Sequence, residues 1–334
     1  LHRNESAMLI LKLKAFFILI ILLLSKNSFS DEIRVAVLKY GSVNWELDVI
    51  SHHNLDTKYN IKIEKLLMTN KDAAAIAFLA KAVDIFVSDW VWVNKQRNKG
   101  SLFSFTPFST ASGGLLVKNN SQIKTFEDLR NKKIGVAGGS LDKSWLFFRA
   151  YSIKKMGVDP IKFFKPSYAA PPLINGLIIN DQLDGAFNYW NYAARLEAKG
   201  FRTIIKVDEI LPLLGISGEL PLIGYVFRDS FEYQNKATLL KFIKASEEAR
   251  KILDKSDKEW QRIKKLTGAK NNLMLEKIKN SFRNGIPKGS DKDMRMTMNS
   301  AFKVLEKIGG KKLVGSGKNL DPGTFWIREN IKYD

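Results

Sequence analysis

Two stretches of this chain repeat one another at a constant offset of 100 residues. Val83-Asp84 matches Leu183-Asp184, Trp90 matches Trp190, Lys99-Gly100 matches Lys199-Gly200, and Trp45 matches Trp145. Four of the seven tryptophans thus form two pairs with one internal spacing. Several matches in a single register imply two units of like topology. A chain of 334 residues has room for two such cores.

The elements within each unit follow from periodicity. Strands are expected at residues 33–38, 61–67 and 83–88, and helices at 43–53 and 72–82, the latter with Asp72 as N-cap. The second unit repeats the scheme, with strands at 133–137 and 183–188 and helices at 140–156 and 173–179. Gly157 ends the first of these helices. Strands that alternate with helices predict an α/β architecture of mostly parallel sheets flanked by helices. The chain is expected to pass between units within residues 105–117 and again at 220–227. Beyond Asp229 a lysine-rich helical pattern (237–253, 257–266, 274–282) is expected to return to the first unit and complete it. The resulting division is residues 1–30, then 31–117 (first lobe), 118–219 (second lobe) and 220–334 (completion of the first lobe).

Residues 1–30 read as a secretory signal. Met8 is followed by Lys12 and Lys14, an apolar run over 15–24, and the small-residue pattern Ser28-Phe29-Ser30. The run is too short to cross roughly 30 Å of hydrocarbon. Cleavage near Ser30 and a periplasmic location are expected. Cysteine is absent, which excludes a lipoprotein anchor, disulfides, thiolate zinc sites and thiol catalysis. The formal net charge is +20, but the lysines are dispersed and no arginine-rich block occurs. In an exported chain this predicts a solvated basic surface and no nucleic-acid partner.

The tryptophans lie just past the C-terminal ends of expected strands, where open α/β sheets bind ligands. Trp45, Trp90, Trp145 and Trp190 are therefore expected around one cleft between the units. Gly138-Gly139-Ser140-Leu141-Asp142 follows a strand and opens a helix. Gly139 and Ser140 there can offer backbone N–H groups to an anionic group, while Ser140 or Asp142 can serve as a simple N-cap. The segment lacks the lysine of a P-loop, so nucleotide binding has no support. Asp89, Asp142 and Glu219 lie near the cleft and, beside tryptophan, suit a cationic or amine-bearing ring. Asp84 and Asp184 read as structural. His2, His52 and His53 are the only histidines, and a nucleophile elbow is only approximated by Gly215-Ile216-Ser217-Gly218. No enzyme activity, metal or cofactor is expected.

Residues 33–230 resemble the solute-binding proteins of ABC importers of the nitrate/sulfonate/taurine (SsuA-like) and thiamine-pyrimidine type. The segments that carry the resemblance are Lys124-Thr125-Phe126-Glu127-Asp128-Leu129-Arg130-Asn131-Lys132-Lys133-Ile134-Gly135-Val136, Gly139-Ser140, Met156-Gly157-Val158-Asp159 and Leu183-Asp184-Gly185-Ala186. The resemblance implies a two-lobed periplasmic binding protein clamshell (type II). Such a monomer closes on one small molecule and docks on an ABC permease and its ATPase at the inner membrane. Two places depart from the family pattern: Ser88-Asp89-Trp90, where small residues are common, and Asn188-Tyr189-Trp190-Asn191, where an acidic residue is common. Asn188 joins the expected ligand-binding residues, and so aromatic a site favours a pyrimidine or amine ligand slightly over a sulfonate. An exported ligand sensor, a pyrimidine-synthesising enzyme on the same fold, and a binder of envelope polyanions remain as alternatives.

Overall fold

A computed structural model describes residues 31–327, and the expected signal segment lies outside the described residues. Among the described residues the strands are β1 (Asp31–Leu38), β2 (Ile61–Met68), β3 (Ile85–Ser88), β4 (Phe103–Ser109), β5 (Gly114–Lys118), β6 (Ile134–Ala137), β7 (Ser167–Ala169), β8 (Gly185–Asn188), β9 (Phe201–Lys206) and β10 (Ile223–Arg228). The described helices of eight residues or more are α1 (Val43–His52), α2 (Lys71–Leu79), α3 (Trp90–Arg97), α4 (Lys143–Met156), α5 (Pro171–Ile179), α6 (Trp190–Glu197), α7 (Lys236–Lys255), α8 (Asp257–Thr267), α9 (Asn272–Asn284) and α10 (Asp291–Val314).

The strands form two sheets of one topology, β2-β1-β3-β10-β4 and β7-β6-β8-β5-β9. The 100-residue offset holds for whole elements. It relates α2 to α5, β3 to β8 and α3 to α6, residue for residue. Asp84 and Asp184 do the same work in the two lobes. Asp84 Oδ2 accepts the Arg34 backbone N–H at 3.0 Å, and Asp184 Oδ2 accepts that of Lys133 at 2.7 Å. Each carboxylate, one residue before β3 or β8, thereby ties the start of that strand to the neighbouring parallel strand, β1 or β6.

Each sheet is mixed but mostly parallel, as expected, with four strands running one way and one reversed. β2, β1 and β3 run parallel, as do β7, β6 and β8, but β10 is antiparallel to β3 and β4, and β5 is antiparallel to β8 and β9. The reason is the crossing itself. A strand arriving from the other lobe enters at the C-terminal edge of the parallel strands and must run the opposite way. Gly224 accordingly pairs with Ser88, the last residue of β3, and Gly114 pairs with Asn188, the last residue of β8. The first crossing is therefore residues 110–113, and Gly114–Lys118 lies in the second sheet, not in the first lobe as read from the sequence. The segment expected as the second crossing and the start of the first lobe's completion contains β10, which lies in the interior of the first sheet.

The C-terminal helices do more than complete the first lobe. α9 packs on α6, and α10 packs on both α3 and α4. One continuous apolar core joins Phe86 and Trp90 of the first lobe to Trp145, Phe148 and Phe187 of the second through Met294, Met298 and Phe302 of α10.

Candidate functional site

The C-terminal edges of the two sheets face one another, and the loops leaving them carry a compact set of charged groups. Lys71 opens α2 after β2, and Asp89 caps α3 after β3. Asp142 and Lys143 open α4 after β6, and Tyr189 stands before α6 after β8. Asp89 and Tyr189 occupy equivalent positions in the repeat. Lys143 Nζ bridges the lobes to Asp89 Oδ2 at 2.8 Å, and both side chains are largely buried. Asp89 Oδ1 accepts the Trp92 N–H at 2.9 Å, and Asp142 Oδ1 accepts that of Trp145 at 3.2 Å. Helix starts are electropositive, so each carboxylate also meets its helix's N-terminal dipole.

These groups shift one another's protonation. Burial pushes the Asp89 carboxyl up, but Lys143 and Lys71 outweigh it and hold it below the usual carboxylate range. Burial pushes Lys143 down, but Asp89 and Asp142 outweigh it and raise it. Partial burial and the neighbouring Asp142 push the Tyr189 hydroxyl far above the ordinary tyrosine range, so it stays protonated and hydrogen-bonds Asp142. Lys71 differs. It is exposed as a residue, yet the protein crowded around its ammonium, together with Lys143, lowers its pKa. Its Nζ lies over the Tyr189 ring, 5.9 Å from the centroid, and it forms no ion pair among the described residues.

Gly138 has φ +89°, a conformation suited to glycine, and a Cβ built there would lie 2.3 Å from the Tyr189 hydroxyl oxygen. Tyr189 thus sits directly on the β6–α4 turn. Gly139 has φ +138° and faces open space. Ser140 is exposed and lies outside the helix, which starts at Lys143. The capping role belongs to Asp142.

The expected ring of four tryptophans is not present. Trp45, Trp90 and Trp145 are 2 %, 0 % and 0 % exposed. Trp90 donates from Nε1 to the Pro221 carbonyl at 2.9 Å. Trp145 stacks on Phe148 at 5.5 Å. Trp45 lies among Trp260 and Phe282. Only Trp190 is half-buried. It meets Trp45 edge to face across the lobes at 5.9 Å, and it borders a cavity of about 430 Å³ against both crossings, which Gly113, Glu197, Lys206 and Glu219 also line. Glu219 is engaged there, because its Oε2 accepts the Lys288 and Gly289 N–H groups at 2.7 Å each. Asn188 is fully buried. Its Nδ2 donates to Pro171 O and Asn175 Oδ1, and its Oδ1 accepts the Tyr189 N–H, so its amide is engaged within the protein and fixes the loop. Asn70, not Asp72, caps α2 and thereby sets the position of Lys71.

Lys71, Lys143 and Tyr189 were not among the residues selected from the sequence. The 100-residue offset carried the signal for one of them, since Tyr189 stands where Asp89 stands. The two lysines had only their place after a strand end to mark them.

This arrangement defines a two-lobed α/β protein with charged groups gathered where the lobes meet, and its likenesses are specific. A family model described as NMT1/THI5 like matches residues 105–256. The alkanesulfonate-binding protein SsuA of Xanthomonas axonopodis pv. citri, solved bound to MOPS, aligns with TM-score 0.65 and 15% identity over 89% of this chain and 98% of its own. The periplasmic aliphatic sulphonate binding protein SsuA of Escherichia coli aligns with TM-score 0.66 and 16% identity over 91% and 96%. The desulfurization enzyme DSZB aligns less closely, with TM-score 0.56 and 11% identity over 84% and 92%. No curated protein sequence matches the chain significantly. The fold is that of the SsuA-like, nitrate/sulfonate/taurine-type solute-binding proteins of ABC transporters, as the sequence resemblance implied.

Proposed function

We propose that this chain is the periplasmic solute-binding component of an ABC importer, and that it captures a small polar molecule carrying an anionic group between its lobes. The observation that carries this reading is Lys71. Asp89 is neutralised by Lys143, and Asp142 is satisfied by its helix start and by Tyr189. That leaves one ammonium, held beside a second and in the field of Asp89, Asp142 and Asp72, but in no direct ion pair among the described residues. A desolvated cation is stabilised by an anion that pairs with it, and the open turn at Gly139-Ser140 offers backbone donors nearby. The cavity of about 430 Å³ beside Trp190 and the two crossings has the size for a small molecule, though the charged cluster does not line it. An aromatic cage for a quaternary ammonium has little support, because three of the four expected rings lie in the cores.

Binding is favoured over catalysis because the seam's carboxylates are engaged, Asp89 by Lys143 and Asp142 by its helix start and Tyr189, and His52 and His53 lie on α1 and just after it, not in the cluster. The DSZB-like architecture makes this a question of chemistry rather than fold. The test is a thermal-shift panel with nitrate, taurine and alkanesulfonates against aminopyrimidines, thiamine, choline and betaine, run on the protein and on Lys71→Met. Saturation at 100 times Kd adds about 2.7 kcal/mol. Stabilisation by an anionic compound, lost in Lys71→Met, supports the reading. Stabilisation only by amines, unchanged in the variant, overturns it.

A further inference from the structure

Outside the cleft, the described histidines converge on one buried carboxylate. His52 ends α1, His53 follows it, and Glu259 lies in the first turn of α8. One ring nitrogen from each histidine and one Glu259 oxygen lie within 4.8 Å of one another. His53 Nε2 is 3.2 Å from Glu259 Oε2, and the two imidazoles meet edge to face with centroids 5.0 Å apart. Glu259 is held from behind. Its Oε1 accepts from Arg262 Nε at 2.8 Å and Nη2 at 2.6 Å, and Arg262 also pairs with Asp48. Oε2 is thereby turned toward the imidazoles. Two carboxylates against one guanidinium leave a surplus negative charge beside two nitrogen donors.

We propose that His52, His53 and Glu259 form a binding site for a divalent transition metal of the zinc class. Two imidazole nitrogens and a carboxylate oxygen are a donor set for zinc or nickel, not for the oxygen-preferring magnesium or calcium. Bonds of about 2.0–2.2 Å place tetrahedral ligands roughly 3.3 Å apart. The His53–Glu259 pair already has that spacing. His52 is exposed, so its ring can rotate the remaining distance. Water completes the coordination. The ion ties the end of α1 to α8, and the site is independent of the cleft and of the function proposed for it.

The test is calorimetric titration of the tag-free, chelator-treated protein with zinc chloride, with magnesium chloride as control. One zinc ion per chain is expected, with no magnesium binding. His52→Gln and His53→Gln should each raise Kd at least tenfold while the metal-free melting temperature stays unchanged. Both positions are exposed, and Gln at 53 keeps an N–H donor for Glu259, so the fold is retained. Absence of stoichiometric zinc binding, or an unchanged Kd in the His52→Gln/His53→Gln double variant, overturns the proposal.

Discussion

Lys143 Nζ lies 2.8 Å from Asp89 Oδ2, so one ion pair joins a helix start of the second lobe to a helix start of the first. Neither partner is well solvated, and removing one leaves a poorly compensated charge. That costs about 3–5 kcal/mol in a buried pair. Asp89→Asn keeps an oxygen for the Trp92 N–H and so isolates the charge from the cap. The expected result is a ligand-free protein with a larger radius of gyration in solution scattering and a lower melting temperature. An unchanged radius with an unchanged melting temperature would show that the pair does not hold the lobes together.

The pH dependence of that pair has a definite sign. The folded-state pKa of Asp89 is lowered, although burial alone would raise it. The unfolded carboxyl titrates near 3.9, so between the two values the unfolded chain binds more protons. The stabilisation is present above about pH 4 and decays as pH falls through the lower folded value. In acid unfolding, the gap between the protein and Asp89→Asn should persist down to about pH 4 and close only below it. A gap that has vanished by pH 6 would contradict the assignment.

Trp90 and Trp190 hold equivalent places and should respond differently. Trp90 is wholly buried and donates to Pro221 O, so Trp90→Ala should cost about 3–5 kcal/mol. Trp190 is half-buried against Trp45 and the cavity, so Trp190→Ala should cost less stability and more ligand affinity. Chemical denaturation and a binding titration on the two variants separate the cases. Equal losses of stability would remove the distinction.

That difference marks how far the sequence could be read. The repeat was legible because α3 and α6, β3 and β8, and α2 and α5 keep one register, and periodicity follows from local geometry. The fate of each indole was not. Trp90 is covered by a carbonyl 131 residues away, and Trp45 by Trp190, Trp260 and Phe282. Spacing along the chain does not tell which face a distant segment will cover. Lys143 and Asp89 are likewise joined only by the docking of two lobes, whereas Asp84 and Asp184 could be read as structural because each caps its own sheet. β10 read as a crossing because its short apolar run carries no sign of its place between β3 and β4.

The β6–α4 turn supplies a steric prediction. Gly138→Ala strains a φ of +89° and drives a methyl into the Tyr189 hydroxyl, whereas Gly139→Ala meets open space and carries only backbone strain, about 1–3 kcal/mol. Gly138→Ala should therefore be the more destabilising, and Tyr189→Phe should recover part of its loss by removing the oxygen. Thermal unfolding of the three variants decides it. Equal losses at the two glycines would show that Tyr189 does not press on the turn.

Lys71 should show a conflict between stability and binding. Its folded pKa is lowered by the crowding around its ammonium and by Lys143. Below the unfolded value near 10.4 the unfolded chain therefore binds more protons, and stability rises with pH through the folded pKa. At pH 7 the charged ammonium consequently destabilises the ligand-free protein. Lys71→Met should raise the melting temperature of the ligand-free protein at pH 7, with an advantage that shrinks as pH rises toward 10. The same variant should lose at least tenfold in affinity for an anionic ligand. Melting curves at several pH values and one binding titration test both halves. A variant that is less stable and binds as tightly would show that Lys71 is part of the scaffold rather than a cation held for a ligand.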